Sequence, residues 1–192
     1  MGNEARKWGE AQFSFFAAPV TNKVPRREPM TLLECHRFIT QSERARAATL
    51  ALRRAATPEE RRRIKAATMD YAMFSGTFAY GSDQRILRHS SMLCLDFDHV
   101  AASPEEVEQV KRRLMQDDKV ESLMAFRSPS GDGVKWVVGI DLTLCCHNTW
   151  FAALSTYALT TYGIAADRQC ANVSRACFLP HDPHALVCWE RM

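Results

Sequence analysis

The chain has 192 residues, 46% hydrophobic and 24% charged, with a formal net charge of +3 and a sequence pI of about 8.5. That is enough apolar material for one core. The small net charge excludes the strongly basic body of an architectural nucleic-acid binder, so any polyanion site has to be local. Seven cysteines, an odd number with no C-x-x-C pair, and no signal-like leader fit a reducing cytoplasm. Arg6 stands where a myristoylation signal wants Ser or Thr, and no apolar run reaches membrane-spanning length, so a soluble protein with no membrane partner is expected.

Residues 1–30 mix charge and three prolines around Phe13-Ser14-Phe15-Phe16, which reads as an irregular arm with one brief strand. From Met30 to about Met73 the pattern is helical, broken at Ala56-Thr57-Pro58-Glu59-Glu60. There Thr57 can cap, Pro58 suits the first helical position and Glu60 the capping-box site, so two helices are expected before the sheet. Arg44, Arg46, Arg53, Arg54, Arg61, Arg62, Arg63 and Lys65 lie on them. They fit a solvated face first, and otherwise a phosphate-tracking surface beside an active site. Ser75-Gly76-Thr77 reads as a turn leading toward the sheet.

Ser91 to Asp98 reads as a strand, and Ser103-Pro104-Glu105-Glu106 opens a helix to about Gln116. Val120 to Arg127 and Val134 to Ile140 predict a hairpin closed by Ser128-Pro129-Ser130-Gly131-Asp132-Gly133. His147 to Tyr162 predicts a helix with Gly163 as its C-cap, and Ala176 to Leu179 a last short strand. The order argues an α+β fold, a sheet with helices on one face. One domain over residues 1–192 is expected: the arm (1–30), a basic helical unit (30–75) and a sheet with its helices (90–185).

Strand alternation puts Leu93, Leu95 and Phe97 on one face and Cys94, Asp96 and Asp98 on the other, with the two aspartate α-carbons roughly 6.5–7 Å apart. Two carboxylates at that spacing can converge on a metal. They fit equally a strand that simply ends, with Asp98-His99 opening a loop. The turn before Lys135 combines glycines, through which backbone amides can approach a phosphate, with serine donors and a following cation. An ordinary hairpin with a solvent-facing lysine has the same sequence, and this is no Walker motif. Further on, Gly163-Ile164-Ala165-Ala166-Asp167 adds a third acid, and Asn172-Val173-Ser174-Arg175 a second cation.

Taken in order, hydrophobic-D-x-D, S-G-x-G-x-K, a helix, G-I-x-x-D and N-V-S-R resemble the archaeo-eukaryotic primase, or primase-polymerase, superfamily. The branch resembled is the virulence-associated-E N-terminal, BT4734-like one of mobile elements and phages, from Phe13 to about Pro183. The resemblance implies an RNA-recognition-motif-like, antiparallel-rich sheet with helices packed on it and a helical, irregular amino-terminal unit. It matches Asp96 and Asp98 to the acidic pair, Asp167 to the last acid and Gly133-Val134-Lys135 to the small-x-His element, with Lys135 in place of histidine.

The activity that the resemblance implies is that of a metal-dependent nucleotidyl transferase copying a single-stranded DNA template from nucleoside triphosphates. Asp96, Asp98 and Asp167 would hold Mg²⁺ or Mn²⁺, and Ser130, Gly131, Gly133, Lys135 and Arg175 the triphosphate. The chain carries no helicase module, so a helicase acting in trans is the expected partner. A catalytically silent nucleic-acid-binding module that recruits a helicase is the alternative, and a metal-dependent nuclease a third. His99 is a weak candidate for the same site. Trp136, Phe178 and the aromatics of the helix from His147 read as core, and the cysteines and histidines of the last third as buried thiols and surface imidazoles.

Overall fold

The computed structural model describes residues 8–192, so the amino-terminal signal reading at residues 1–6 lies outside the described residues. The fold is mixed α+β, with antiparallel sheets and five α-helices among the described residues.

The Phe13–Phe16 cluster forms strand β1 (Gln12–Phe16), which pairs antiparallel with β2 (Met30–Thr31) and β3 (Tyr71–Met73). Both faces of β1 are covered: Phe13 and Phe15 enter one apolar cluster and Phe16 another, where it stacks on Tyr71 at 4.7 Å. Between β2 and β3 run α1 (Leu32–Gln41), α2 (Glu43–Arg54) and α3 (Pro58–Thr68).

Three helices therefore stand where two are expected. Ser42 leaves the helical backbone region, donates its N–H to the Phe38 carbonyl and accepts from the Ala45 amide, so it ends α1 and caps α2. The break at Thr57 is as expected, with the Thr57 hydroxyl accepting from the Glu60 amide at 3.1 Å. The helix stops short of Met73. Tyr71-Ala72-Met73 is instead a strand buried on both faces, whose unbroken apolar run is ambiguous in period. Just before it, buried Asp70 takes both Nε (2.9 Å) and Nη2 (3.0 Å) of Arg44 and the Ala18 amide, locking α2 to the arm.

The Ser75-Gly76-Thr77 segment is also more than a turn. Gly76 begins β4 (Gly76–Phe78), paired with β5 (Ile86–His89). A Cβ at Gly76 would lie 2.1 Å from the Arg88 carbonyl oxygen, so only glycine admits that ladder.

The second four-stranded sheet has the order β10-β7-β8-β6, made of β6 (Met92–Phe97), β7 (Ser122–Arg127), β8 (Val134–Gly139) and β10 (Leu186–Val187). The expected β7–β8 hairpin is present, and β6 pairs with β8. Helices α4 (Pro104–Met115) and α5 (His147–Tyr162, capped by Gly163 at φ 71°) cover one face through Leu93, Leu95, Trp136, Val107 and Phe151. The first sheet and α1 cover the other, with Met92, Met124, Phe126 and Val137 in one cluster with Phe13, Phe74 and Ile39.

Ala176–Leu179 contributes β9 (Cys177–Phe178), which joins β3 in the first sheet, and is not the last strand. That is β10, two residues long beyond Pro183 and too short to carry a pattern. A buried polar knot holds this tail: the Lys111 ammonium of α4 donates to Asp182 Oδ2 and the His184 carbonyl, both at 2.8 Å, and Asp182 also accepts the Arg127 amide. Between β6 and β9, where the two sheets meet, the molecule encloses a cavity.

Candidate functional site

Alternation along β6 sends Leu93, Leu95 and Phe97 into the helix-covered core and turns Cys94 and Asp96 toward the first sheet. β6 ends at Phe97, so Asp98 sits one residue past the strand, exposed at its exit. The β6–β8 register sets Lys135 opposite Asp96 on the same face, and the ammonium donates to Asp96 Oδ2. Lys135 is 4% exposed. Burial alone would disfavour its charge, but the facing thiol of Cys177 and carboxylate of Asp96 outweigh that and hold Lys135 above its ordinary value. Partial desolvation where it meets the cavity, then the Asp96 charge, pushes the Asp98 carboxyl up.

Asp167 reaches the same place from the other end of the chain. Its amide donates to the Asp96 carbonyl at 2.8 Å, extending past β6, and its carboxylate accepts the Gln169 amide and pairs with Arg175 at 3.0 Å. Asp96, Asp98, Asp167, Ser130, Lys135 and Arg175 thus line one cavity of about 590 Å³. Two of its three acids are neutralised within the protein, by Lys135 and Arg175. Among the described residues no group of three or more His, Cys, Asp or Glu side chains is arranged to hold a metal ion. One oxygen, Asp96 Oδ1, is buried without a hydrogen-bond partner.

Gly131 and Gly133 do not line this cavity, and their amides are spent inside the turn: Gly131 N donates to the Ser128 carbonyl and Gly133 N to Ser128 Oγ. Gly133 is glycine for a packing reason, since a Cβ there would stand 2.4 Å from the Phe97 carbonyl oxygen. Ser130 faces the cavity while its hydroxyl donates to Asp132 at 2.7 Å. His99 does not join the acids. At φ 52° it turns outward to Asp132, 2.5 Å away, and is exposed.

Arg53, read in the sequence only as one of a run of helix cations, holds the turn beside this site. From α2 it donates Nε to the Pro129 carbonyl (3.1 Å) and Nη2 to the Ser128 carbonyl (3.3 Å), clamping the turn. Nothing local marks a partner so far along the chain. Phe178, read as core, is half-buried on the cavity wall with the Lys65 ammonium 5.5 Å from its ring centre. Trp136 is core, its Nε1 donating to Ser122 Oγ.

Behind Lys135, Cys94 and Cys177 place their Sγ atoms 3.7 Å apart. His147 is buried there, not on the surface. The Ser91 amide donates to His89 Nδ1, which leaves His89 Nε2 as the donor to His147 Nδ1 at 3.1 Å, and burial pushes His147 down to about 4.

Residues 63–186, well over half of the chain, match the family described as BT4734-like, N-terminal domain. The chain belongs to this family. Asp96, Asp98, Lys135, Asp167 and Arg175 lie within that span of the BT4734-like domain, whereas the cavity's Lys23, Arg61 and Arg62 lie before it. No curated protein and no solved structure matches the chain. Among the described residues no helix is long and apolar enough to cross a membrane.

Proposed function

We propose that this BT4734-like domain is a metal-dependent nucleotidyl transferase of the primase-polymerase superfamily, with a sheet of that superfamily's RNA-recognition-motif-like type. It would extend a strand on a single-stranded DNA template from nucleoside triphosphates, in the cytoplasm, for a mobile element or phage, with a helicase supplied in trans. The observation that carries the reading is the convergence of Asp96, Asp98, Asp167, Lys135 and Arg175, from three distant chain segments, on one cavity large enough for a nucleotide.

The donor set fits Mg²⁺ or Mn²⁺: the three acids are hard oxygen ligands, and the orphaned Asp96 Oδ1 is a buried acceptor in want of a partner. Asp96, Asp98 and Asp167 would hold the ions. When bound, these ions lower the proton affinity of the attacking hydroxyl and neutralise the leaving pyrophosphate. Lys135 and Arg175 would be the two cations an incoming triphosphate meets on this wall, each placed to be shared between its carboxylate and a phosphate. Ser130 Oγ offers a further hydrogen bond from the turn that Arg53 holds in place. The 3′-hydroxyl oxygen forms a bond to the α-phosphorus as the α–β phosphoanhydride bond breaks; its proton leaves to solvent and pyrophosphate departs.

One observation favours a second reading, the catalytically silent nucleic-acid-binding module. Asp96 and Asp167 are balanced by Lys135 and Arg175, so the site is electrostatically tolerable without metal. Incorporation of labelled ribo- or deoxyribonucleotide on a single-stranded template with Mn²⁺ separates the two. We expect incorporation by the parent and its loss in Asp96→Asn; a folded parent inactive with both nucleotide types and both metals overturns the transferase reading.

A further inference from the structure

The charge of the cavity divides into two walls. On the β6 side, Lys135 is matched by Asp96 and Arg175 by Asp167, leaving Asp98 as the one acid unmatched. The opposite wall is cationic: Arg61, Arg62 and Lys65 of α3, with Lys23 from the arm. Among the described residues Arg61, Lys65 and Lys23 form no ion pair, and Arg62 has only the exposed Glu59, a contact that contributes little.

Helix stability does not account for the three arginines of α3. α3 has no fully buried residue, and Arg61, Arg62 and Arg63 sit in its amino-terminal half, where the macrodipole disfavours cations and only Glu59 and Glu60 offset it. Its anchors are Ile64 against Leu52 and Met69, and the Val20 amide on the Ala66 carbonyl. Arg61 and Lys65 are four residues apart, one above the other, about 6 Å along the axis. At the base of this wall lies the half-buried ring of Phe178, bordered by Ala176 and Val20.

We propose that the α3 wall is the track for the phosphodiester backbone of a single-stranded nucleic acid, with Arg61 and Lys65 on successive phosphates and Phe178 as the platform for an unstacked base. This deepens the transferase reading, on which it rests for the strand's role as template. Cations in a row beside a half-buried aromatic, whose ring is overlain by the ammonium of the flexible Lys65 side chain, are what a single strand needs. A duplex, its bases stacked inside, cannot place one in a concave site, and a triphosphate has nearer partners in Lys135 and Arg175.

The test is fluorescence anisotropy of a labelled oligothymidylate on the full chain, without metal, across about 50–200 mM salt. Arg61→Gln/Lys65→Gln keeps helix-forming side chains. It should bind at least about tenfold more weakly, with the salt slope reduced by about 1.4 for two lost phosphate contacts. Binding of labelled nucleoside triphosphate with Mn²⁺ should be unchanged. Arg37→Gln/Arg46→Gln, which removes the same charge from exposed helix positions away from the cavity, should bind as the parent does. The proposal is overturned by parental affinity and slope in Arg61→Gln/Lys65→Gln, by an equal loss in both double variants, by tighter binding of duplex, or by loss of triphosphate with the oligonucleotide retained. A parent that binds the strand this way but incorporates nothing counts against the transferase reading and leaves the track standing.

Discussion

Lys135 faces Asp96 directly across the β6–β8 ladder, and its ammonium is ion-paired with that carboxylate in a nearly dry setting. Removing one partner leaves the other charge buried alone, so Lys135→Met should lower unfolding free energy by about 3 kcal/mol, as single breaks of buried pairs do. Lys135→Met/Asp96→Asn, which discharges both, should recover most of it. Urea denaturation of the four-member cycle measures the coupling, and an additive cycle would show that the pair is not a buried unit.

Gly133 abuts the Phe97 carbonyl where the turn meets the end of β6. Gly133→Ala should cost about 2 kcal/mol by forcing the two backbones apart, even though the residue is not in a left-handed conformation. Displacing the strand that carries Asp96 should reduce triphosphate binding as well. Parental thermal stability in this variant would mean that the turn yields freely.

Acid should weaken the fold through His147. Burial pushes this group down to about 4, against an unfolded value near 6.5. Between those values the unfolded chain binds the extra proton, so the stabilisation is full above about pH 6.5 and falls as pH drops toward 4. The loss is about 3 kcal/mol at about 1.36 kcal/mol per pH unit of difference. His147→Phe should flatten that part of the stability profile, read by denaturation at several pH values. A slope unchanged by the substitution would assign the acid sensitivity elsewhere.

A different knot ties the carboxy-terminal segment. Burial would raise the Asp182 carboxyl, but the Lys111 ammonium and the amides donated to it hold the carboxyl below its ordinary value. The stabilisation is therefore present above the unfolded carboxylate value and is lost as pH falls through the lower folded one. At neutral pH, Asp182→Ala should cost about 2 kcal/mol by taking one of two carboxylates from buried Lys111, which keeps Glu108 at 2.9 Å, and by orphaning the Arg127 amide. Hydrogen exchange should then report release of β10 and Ala185; protection there equal to the parent's would contradict the knot.

Much of the local architecture was legible from residue order. Thr57-Pro58, Ser103-Pro104 and Gly163 mark helix ends because caps act within a few residues, and the β7–β8 hairpin follows from its glycine turn. Ser42 and Tyr71–Met73 went unread for the opposite reason. A serine inside a helical pattern does not announce a break, and an apolar run buried on both faces has no period to distinguish strand from helix.

By itself, then, the sequence determined the α+β class, the alternation that turns Asp96 away from the core, and the order of acids and cations that resembles a known family. Only the tertiary structure decided how those charges meet: Lys135 on Asp96, Arg175 on Asp167, the glycine amides spent within their turn, and α3 left to face the cavity with Arg61 and Lys65 outside any ion pair among the described residues. Ion pairs are set by strand register and by segments dozens of residues apart. A one-dimensional pattern shows that charges are present, but not which of them neutralise one another.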